Sequence, residues 1–354
     1  MRTLIVTPDY PPPPGGIQTL TRNLERGLRA IGDDVKVVHC DPDSGLSPSH
    51  FVPRVLIRNL RDVPQWPYFN RVYSETQAAI QEFDPDVVHA THIVCWPALH
   101  AANNHNIPSV VSAHALELSS TRLARDALSK STQVHAVSPF TEELTQKSSD
   151  INDINSYVVP PSIDVPEKIP PLISDGPVFT ISRLVSRKNI NTLIDAWNMI
   201  PDDIQRRHGL IIAGDGPERE EIELLSEGNK TISVLGRISD DRKSKLLRRS
   251  SIFALTPIQD GFDVEGFGIV YIEAQANGTP VLGSGTGGIP SAVGDAGCLV
   301  NEPQNPTIIS EKLEKMLVNE GLRERCYLAI RERIEDFSLA TVAQQHHKKY
   351  NDLQ

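Results

Sequence analysis

No stretch of this 354-residue chain approaches the roughly 20 apolar residues that a membrane span needs. The opening run Met1-Arg2-Thr3-Leu4-Ile5-Val6-Thr7-Pro8 is too short for a signal peptide and reads as a buried strand, so a cytoplasmic protein is expected. A basic excess is also missing: 35 Lys and Arg stand against 45 Asp and Glu, a net charge of -10. Affinity for a phosphate backbone needs a basic surface, so no nucleic-acid partner is expected, although a local basic patch is not excluded. Cysteine is sparse. Cys40, Cys95, Cys298 and Cys326 are widely scattered, with no CxxC pair and no metal-type spacing, and they read as plain thiols. There is no short-period repeat and no low-complexity tract beyond the prolines.

What remains is ordinary globular material, 39% hydrophobic and 23% charged, in a chain too long for one core. Short β-branched runs alternate with helical patterns from end to end, which is the signature of parallel sheets built from βαβ units. In a first array, strands are expected at Leu4 to Thr7, Val35 to Cys40, Asp86 to Ala90, Ser109 to Ala113, Gln133 to Val137 and Tyr157 to Pro160. Ile17, Leu20, Leu24, Leu28 and Ile31 recur at three- and four-residue spacing and predict an amphipathic helix. The proline-rich segment from Val159 to Pro171 is the linker candidate. A second array places strands at Val178 to Ser182, Leu210 to Gly214, Thr231 to Leu235, Ile252 to Thr256 and Pro280 to Gly283. Its helices are expected at Asn189 to Ile200, Pro217 to Glu227, Asp240 to Arg249 and Ile269 to Asn277. The last fifty residues read as helical. The division expected is 1–165, 166–336 and a C-terminal helix over 337–354 that crosses back to the first domain.

The densest chemistry lies in Asp263-Val264-Glu265-Gly266-Phe267-Gly268-Ile269-Val270-Tyr271-Ile272-Glu273-Ala274, followed by a second glycine run at Gly283 to Gly288. It reads as a loop entering a helix, with Glu265 just before the helix start and Glu273 about a turn and a half inside. Backbone N–H groups at a helix N-terminus attract a diphosphate, and glycine lets that backbone come close. Carboxylates are poor phosphate ligands but good acceptors from hydroxyl pairs, so a sugar nucleotide suits the arrangement, with a sugar at each glutamate. Gly15 and Gly16, after the proline run 11–14, stand between the first strand and the first helix, where open α/β sheets bind ligands. Arg183 and Lys188 follow the first strand of the second domain and are placed to reach one diphosphate.

Other motifs carry less. Gly214-Asp215-Gly216-Pro217-Glu218-Arg219 has Arg219 where a dinucleotide fingerprint needs its third glycine, and a strand-to-helix turn is the simpler reading. His114, His89 and His92 end apolar strands; His114 is expected at an inter-domain cleft, and metal binding by the pair His89 and His92 is not expected. Arg54, Arg58 and Arg61 alternate with apolar residues ahead of Trp66, Tyr68 and Phe69, a mixture compatible with an anionic membrane surface or with a salt-bridged helix face. Arg122, Arg125 and Lys130 form a second basic stretch.

Together these residues resemble the retaining glycosyltransferases of family 4. The resemblance is carried by Pro13-Pro14-Gly15-Gly16-Ile17-Gln18, Arg183 with Lys188, the E-x7-E pair Glu265 and Glu273, and Gly287-Gly288-Ile289-Pro290. Within the family the sequence is most similar to GDP-mannose-dependent mannosyltransferases of the phosphatidylinositol mannoside type. The resemblance implies a GT-B fold, two Rossmann-like doubly wound parallel-sheet domains facing a central cleft. It further implies that Arg183 and Lys188 neutralise the diphosphate, Glu273 binds the nucleotide ribose and Glu265 the transferred sugar. Gly15, Gly16, Gly266 and the amides of Phe267 and Gly268 complete the cradle, and His114 lies near the sugar and acceptor. Ser291 departs from the acidic residue often found after Gly-Gly-x-Pro. No cofactor is expected beyond the donor substrate, and no Asp-x-Asp is placed to hold a metal. The expected partners are a nucleotide-sugar donor, a glycan or lipid-linked acceptor and an anionic membrane surface. Attack from the face of the departing phosphate is the implied route to retention.

Overall fold

A computed structural model describes residues 1–11, 15–41, 66–119, 121–148, 154–261 and 263–354. The chain divides into two compact units, one made of Met1–Ser162 with Ser338–Gln354 and the other of Ile163–Phe337.

The first unit is built on six strands: β1 (Arg2–Thr7), β2 (Asp34–His39), β3 (Val87–Ala90), β4 (Ser109–Ala113), β5 (Gln133–Ala136) and β6 (Ser156–Val158). They form one parallel sheet in the order β2-β1-β3-β4-β5-β6. Its helices are α1 (Gly16–Ala30), α2 (Trp66–Phe83), α3 (Trp96–Asn104), α4 (Thr121–Lys130) and α5 (Pro139–Ser148). Alternate strand residues feed opposite cores. Leu4, Val6, Val88 and Val111 join one buried cluster, whereas Ile5, Val87 and Val110 join another with Leu24 and Leu28 of α1. A parallel sheet needs both faces covered, which is why these strands read as nearly continuous apolar runs.

The second unit contributes β7 (Val178–Arg183), α6 (Ile190–Asn198), α7 (Asp202–His208), β8 (Leu210–Asp215), α8 (Arg219–Ser226), β9 (Ile232–Val234), α9 (Asp240–Arg249) and β10 (Ile252–Ala254). It continues through α10 (Ile269–Ala276), β11 (Val281–Ser284), α11 (Ile289–Val293), β12 (Gly297–Val300), α12 (Pro306–Val318) and α13 (Glu320–Arg333). Its sheet is again six-stranded and parallel, in the order β12-β11-β10-β7-β8-β9. The edge strand β12, absent from the expected set, is only four residues long and opens on Gly297. So short a run carries too little alternation to stand out. The chain runs outward from β7 through β8 to β9 and then returns to start again at β10. Order therefore reverses between β7 and β10, and a crevice at the carboxyl ends of these strands is where such sheets hold ligands.

The last helix, α14 (Leu339–Asn351), lies in the first unit and packs along α1. Its Val342, Ala343 and Tyr350 are buried in the cluster that includes Leu24, Leu28 and Val35. Tyr350 also completes a polar chain through the sheet. The His135 Nε2–H donates to the Val159 carbonyl at 2.8 Å, which leaves Nδ1 to accept from Ser112 Oγ at 2.8 Å. Ser112 Oγ then receives the His89 Nε2–H at 2.8 Å, and His89 Nδ1 accepts from the Tyr350 hydroxyl at 2.5 Å. With neutral rings, every donor and acceptor of the chain points one way. His89 thus sits inside β3 rather than at its end, a correction to the expectation from sequence. Apolar neighbours hide the middle of a strand from its edge in sequence.

Candidate active site

The loop leaving β7 carries three cations. Arg183, its last residue, is exposed and forms no ion pair among the described residues. Arg187 and Lys188 turn inward, with side chains 11% and 12% exposed. Asn189, at φ 60°, makes that turn; asparagine tolerates this left-handed region better than most residues. Its Nδ2 donates to the carbonyls of Thr256 and Pro303 at 3.0 and 2.6 Å, and its Oδ1 accepts from Thr192 Oγ1 at 2.6 Å. The loop is thereby tied to the chain leaving β10. Gly214 and Gly216 support it from below. A Cβ on either would lie 1.9 Å from the Ser182 carbonyl oxygen or 2.3 Å from that of Leu184. Their glycine spacing therefore serves close packing, as the turn reading of that motif expects.

Opposite, the segment 255–268 runs from β10 into α10 and brings Asp263 and Glu265 to the same cations. Glu265 Oε2 accepts from Lys188 Nζ at 2.5 Å and from Arg187 Nη1 at 2.9 Å, while Arg187 Nε lies 2.8 Å from Asp263 Oδ1. Among the described residues, no side chain or amide occupies Glu265 Oε1. The main chain of Glu265 is fixed as well: its carbonyl accepts from Gly288 N at 2.8 Å. A Cβ on Gly287, at φ 59°, would fall 2.4 Å from that carbonyl oxygen, so the Gly287-Gly288 turn is what allows this approach.

The electrostatics follow from burial and proximity. Burial alone pushes the Glu265 carboxyl up, but the charges of Lys188 and Arg187 outweigh it and hold the group at about 2. Burial pulls the Lys188 ammonium down, partly offset by Glu265 and reinforced by Arg187 and Arg183. Arg187 is held above its usual range because Glu265 and Asp263 overcome the cost of its burial. Two cations and two carboxylates balance one another, with Arg183 in surplus beside them.

Glu273, the fifth residue of α10, accepts from Lys243 Nζ at 2.8 Å, and Lys243 also lies 3.2 Å from Asp240 Oδ1. The Phe267 side chain is buried against Phe337, ring centroids 5.9 Å apart, so only its backbone faces a ligand role. Gly268, at φ 90°, caps α10. The structure therefore brings Lys188, Glu265 and the 266–268 backbone together, joins Arg187 and Asp263 to them, and pairs Lys243 with Glu273; sequence reasoning missed Arg187, Asp263 and Lys243. Arg187 directly precedes Lys188, so the only local signal was a second cation; its carboxylate partners lie 76 and 78 residues away.

In the first unit, Gly15 and Gly16 lead into α1, and His114 follows β4, all at the carboxyl edge of the sheet. His114 Nε2 donates to the Thr91 carbonyl at 2.7 Å and its backbone N–H to Glu117 Oε1 at 2.5 Å. Its ring stacks on His92 at 6.0 Å between centroids. Ala115 is held at φ 132°, a strained backbone for an L residue. Pro13, Pro14 and the Arg54 to Arg61 stretch lie outside the described residues, as do the side chains of Trp66 and Arg122. Tyr68 and Phe69 pack into the core of the first unit, where Phe69 meets Trp96 at 5.7 Å between centroids. Among the described residues no helix is long and apolar enough to cross a membrane.

Two family descriptions fit this chain: "Glycosyltransferase Family 4" over residues 14–167 and "Glycosyl transferases group 1" over residues 173–333. The chain belongs to the family 4 glycosyltransferases and has their two-domain GT-B fold. It is 29% identical to the GDP-mannose-dependent monoacylated alpha-(1-6)-phosphatidylinositol monomannoside mannosyltransferase of Corynebacterium glutamicum, over 89% of this chain and 88% of that one. It is 26% identical to a glycogen synthase of Mycobacterium tuberculosis, over 97% and 92% of the two chains. The crystal structure of Anabaena HepE in complex with UDP and glucose superposes with a TM-score of 0.72 at 18% identity, over 99% of this chain and 100% of that one.

Proposed function

We propose that this glycosyltransferase transfers mannose, with retention, from GDP-mannose to a hydroxyl of a glycan or lipid-linked acceptor. The observation that carries the reading is the meeting of Lys188 and Glu265 at the β7/β10 switch point beside the N-terminus of α10. Breaking the glycosidic bond to phosphate leaves charge on the diphosphate, and preorganised cations with helix amides are the largest available stabilisation. Lys188 and Arg183 take the diphosphate, Glu265 the mannose hydroxyls, Glu273 the ribose, and His114 lies near the transferred sugar. Gly15, Gly16 and the backbone of Gly266, Phe267 and Gly268 line the phosphates. Same-face attack suits this set, because the departing phosphate accepts the acceptor's proton and no further carboxylate nucleophile is needed. Neither a metal nor a cofactor is required.

The likeness to the corynebacterial mannosyltransferase supports the GDP-mannose donor and a lipid-linked acceptor, which we place at the cytoplasmic face of a membrane. With Tyr68 and Phe69 committed to the core, peripheral docking on anionic lipid rests on Arg54, Arg58 and Arg61, each contributing about 1 kcal/mol. A second reading, a UDP-hexose donor, is supported by the fold shared with HepE, which was crystallised with UDP and glucose. A panel of GDP- and UDP-sugars separates the two: turnover of a UDP-sugar and none of GDP-mannose overturns the mannosyl assignment. Sedimentation with anionic liposomes tests docking. Binding at low salt that survives Arg54, Arg58 and Arg61 all being changed to Ser rejects it.

A further inference from the structure

Lys188 is not free for a phosphate. Its ammonium is spent on Glu265 Oε2, at 2.5 Å. If Lys188 turns to the diphosphate when the donor arrives, Glu265 loses a cation at the moment its carboxylate must hold still for the sugar. A buried carboxylate without a cation partner gains a proton or swings toward water. Arg187 already occupies the position that prevents this. Its guanidinium spans two carboxylates, Nη1 on Glu265 Oε2 at 2.9 Å and Nε on Asp263 Oδ1 at 2.8 Å, with only 11% of the side chain exposed. Its own main chain is anchored too, the Arg187 carbonyl accepting from Ile258 N at 2.9 Å. Arginine suits the task where lysine does not, because its planar fork addresses two acceptors in fixed directions.

We propose that Arg187 is a positioning residue of the donor site: it clamps Glu265 to Asp263 and keeps the Glu265 carboxylate ionised and in place while Lys188 exchanges Glu265 for the diphosphate. The proposal rests on the reading that Glu265 binds the transferred sugar and Lys188 the diphosphate. Arg187 itself touches neither, which distinguishes it from the two cations that the sequence suggested. The clamp also explains why Glu265 Oε2 carries both cations and Oε1 none: one oxygen is held and the other is left for a hydroxyl.

Two measurements on the full chain test it. The first is independent of turnover: the Glu265 carboxyl is followed by carbon NMR through an acid titration in the absence of donor. In Lys188→Ala, which imitates a lysine that has left, Glu265 is expected to titrate well below an exposed glutamate. Adding Arg187→Ala is expected to bring it back to or above the ordinary range. The second is a kinetic split. Arg187→Ala is expected to lower kcat roughly ten- to hundredfold while GDP affinity stays within about threefold, Asp263→Asn to reproduce part of that loss, and Arg187→Lys to rescue it incompletely. Normal titration of Glu265 in Lys188→Ala, or a loss of GDP affinity in Arg187→Ala as large as in Lys188→Ala, overturns the clamp. Absence of turnover with every nucleotide sugar in the wild type would instead remove the glycosyl-transfer reading, and the titration would still decide whether Arg187 holds Glu265.

Discussion

The two sheets each bury a polar cluster, and the clusters are built on opposite principles. In the first unit, His89, Ser112, His135 and Tyr350 form a closed chain of neutral groups in which every ring nitrogen is partnered and each hydrogen bond of the chain runs in one direction. In the second, Arg187, Lys188, Asp263 and Glu265 form a charged cluster with a glutamate oxygen left over and a lysine that burial disfavours. A closed neutral chain has nothing to offer a ligand. Its work is to fasten α14 to the sheet. An ionic cluster with unspent capacity can exchange partners when a diphosphate brings negative charge. Burial of polar groups alone thus does not mark a functional site, whereas burial with an open valence does.

The largest way to break this comparison is acid. Burial pushes His135 down to about 4 and His89 and His346 well below the usual imidazole range. Their stabilisation is complete above the unfolded value near 6.5 and is lost as pH falls toward the folded values, because the unfolded chain binds protons that the fold excludes. Between pH 7 and 5, His135 alone should cost about 2 kcal/mol, and His89 and His346 act in the same direction. Urea unfolding at the two pH values checks this; an unchanged midpoint would show that the histidines are not held neutral.

Next in size, Lys188→Ala should reduce turnover by about 1.5 to 3 kcal/mol, roughly ten- to hundredfold, with a smaller effect on folding. Glu273→Ala should mainly weaken nucleotide binding, and Glu265→Ala the sugar step. Equal losses of GDP affinity in the two glutamate variants would contradict that division. Tyr350→Phe should cost about 1 to 2 kcal/mol of stability by stripping His89 Nδ1 of its donor while leaving kcat near wild type, read by denaturant unfolding beside an activity assay. At the low end, Lys147→Ala, which removes an exposed i,i+4 pair with Glu143, should change stability by no more than about 0.5 kcal/mol.

Much of the fold was legible because its signal is local. The alternation of β1 side chains between two cores and the Leu20, Leu24, Leu28 stripe of α1 follow from periods of two and 3.6 residues. The Ser109–Ala113 strand and the Asp240–Arg249 helix stand where their patterns place them. Tyr68 and Phe69 did not read correctly, since an aromatic pair at a helix start looks alike whether it meets lipid or its own core. Nor did His89, whose partners Ser112 and Tyr350 lie 23 and 261 residues away.

The sequence by itself determined the parallel two-sheet architecture, the family, and the placing of Glu265 and Glu273 on either side of a helix start, because each depends on spacing along the chain. Only the tertiary structure decided which cations meet Glu265, that Lys243 answers Glu273, and that three histidines are buried without charge. The physical reason is that charge pairing and desolvation depend on distances across the fold. Such distances come into being when strands distant in sequence, such as β7 and β10, lie side by side.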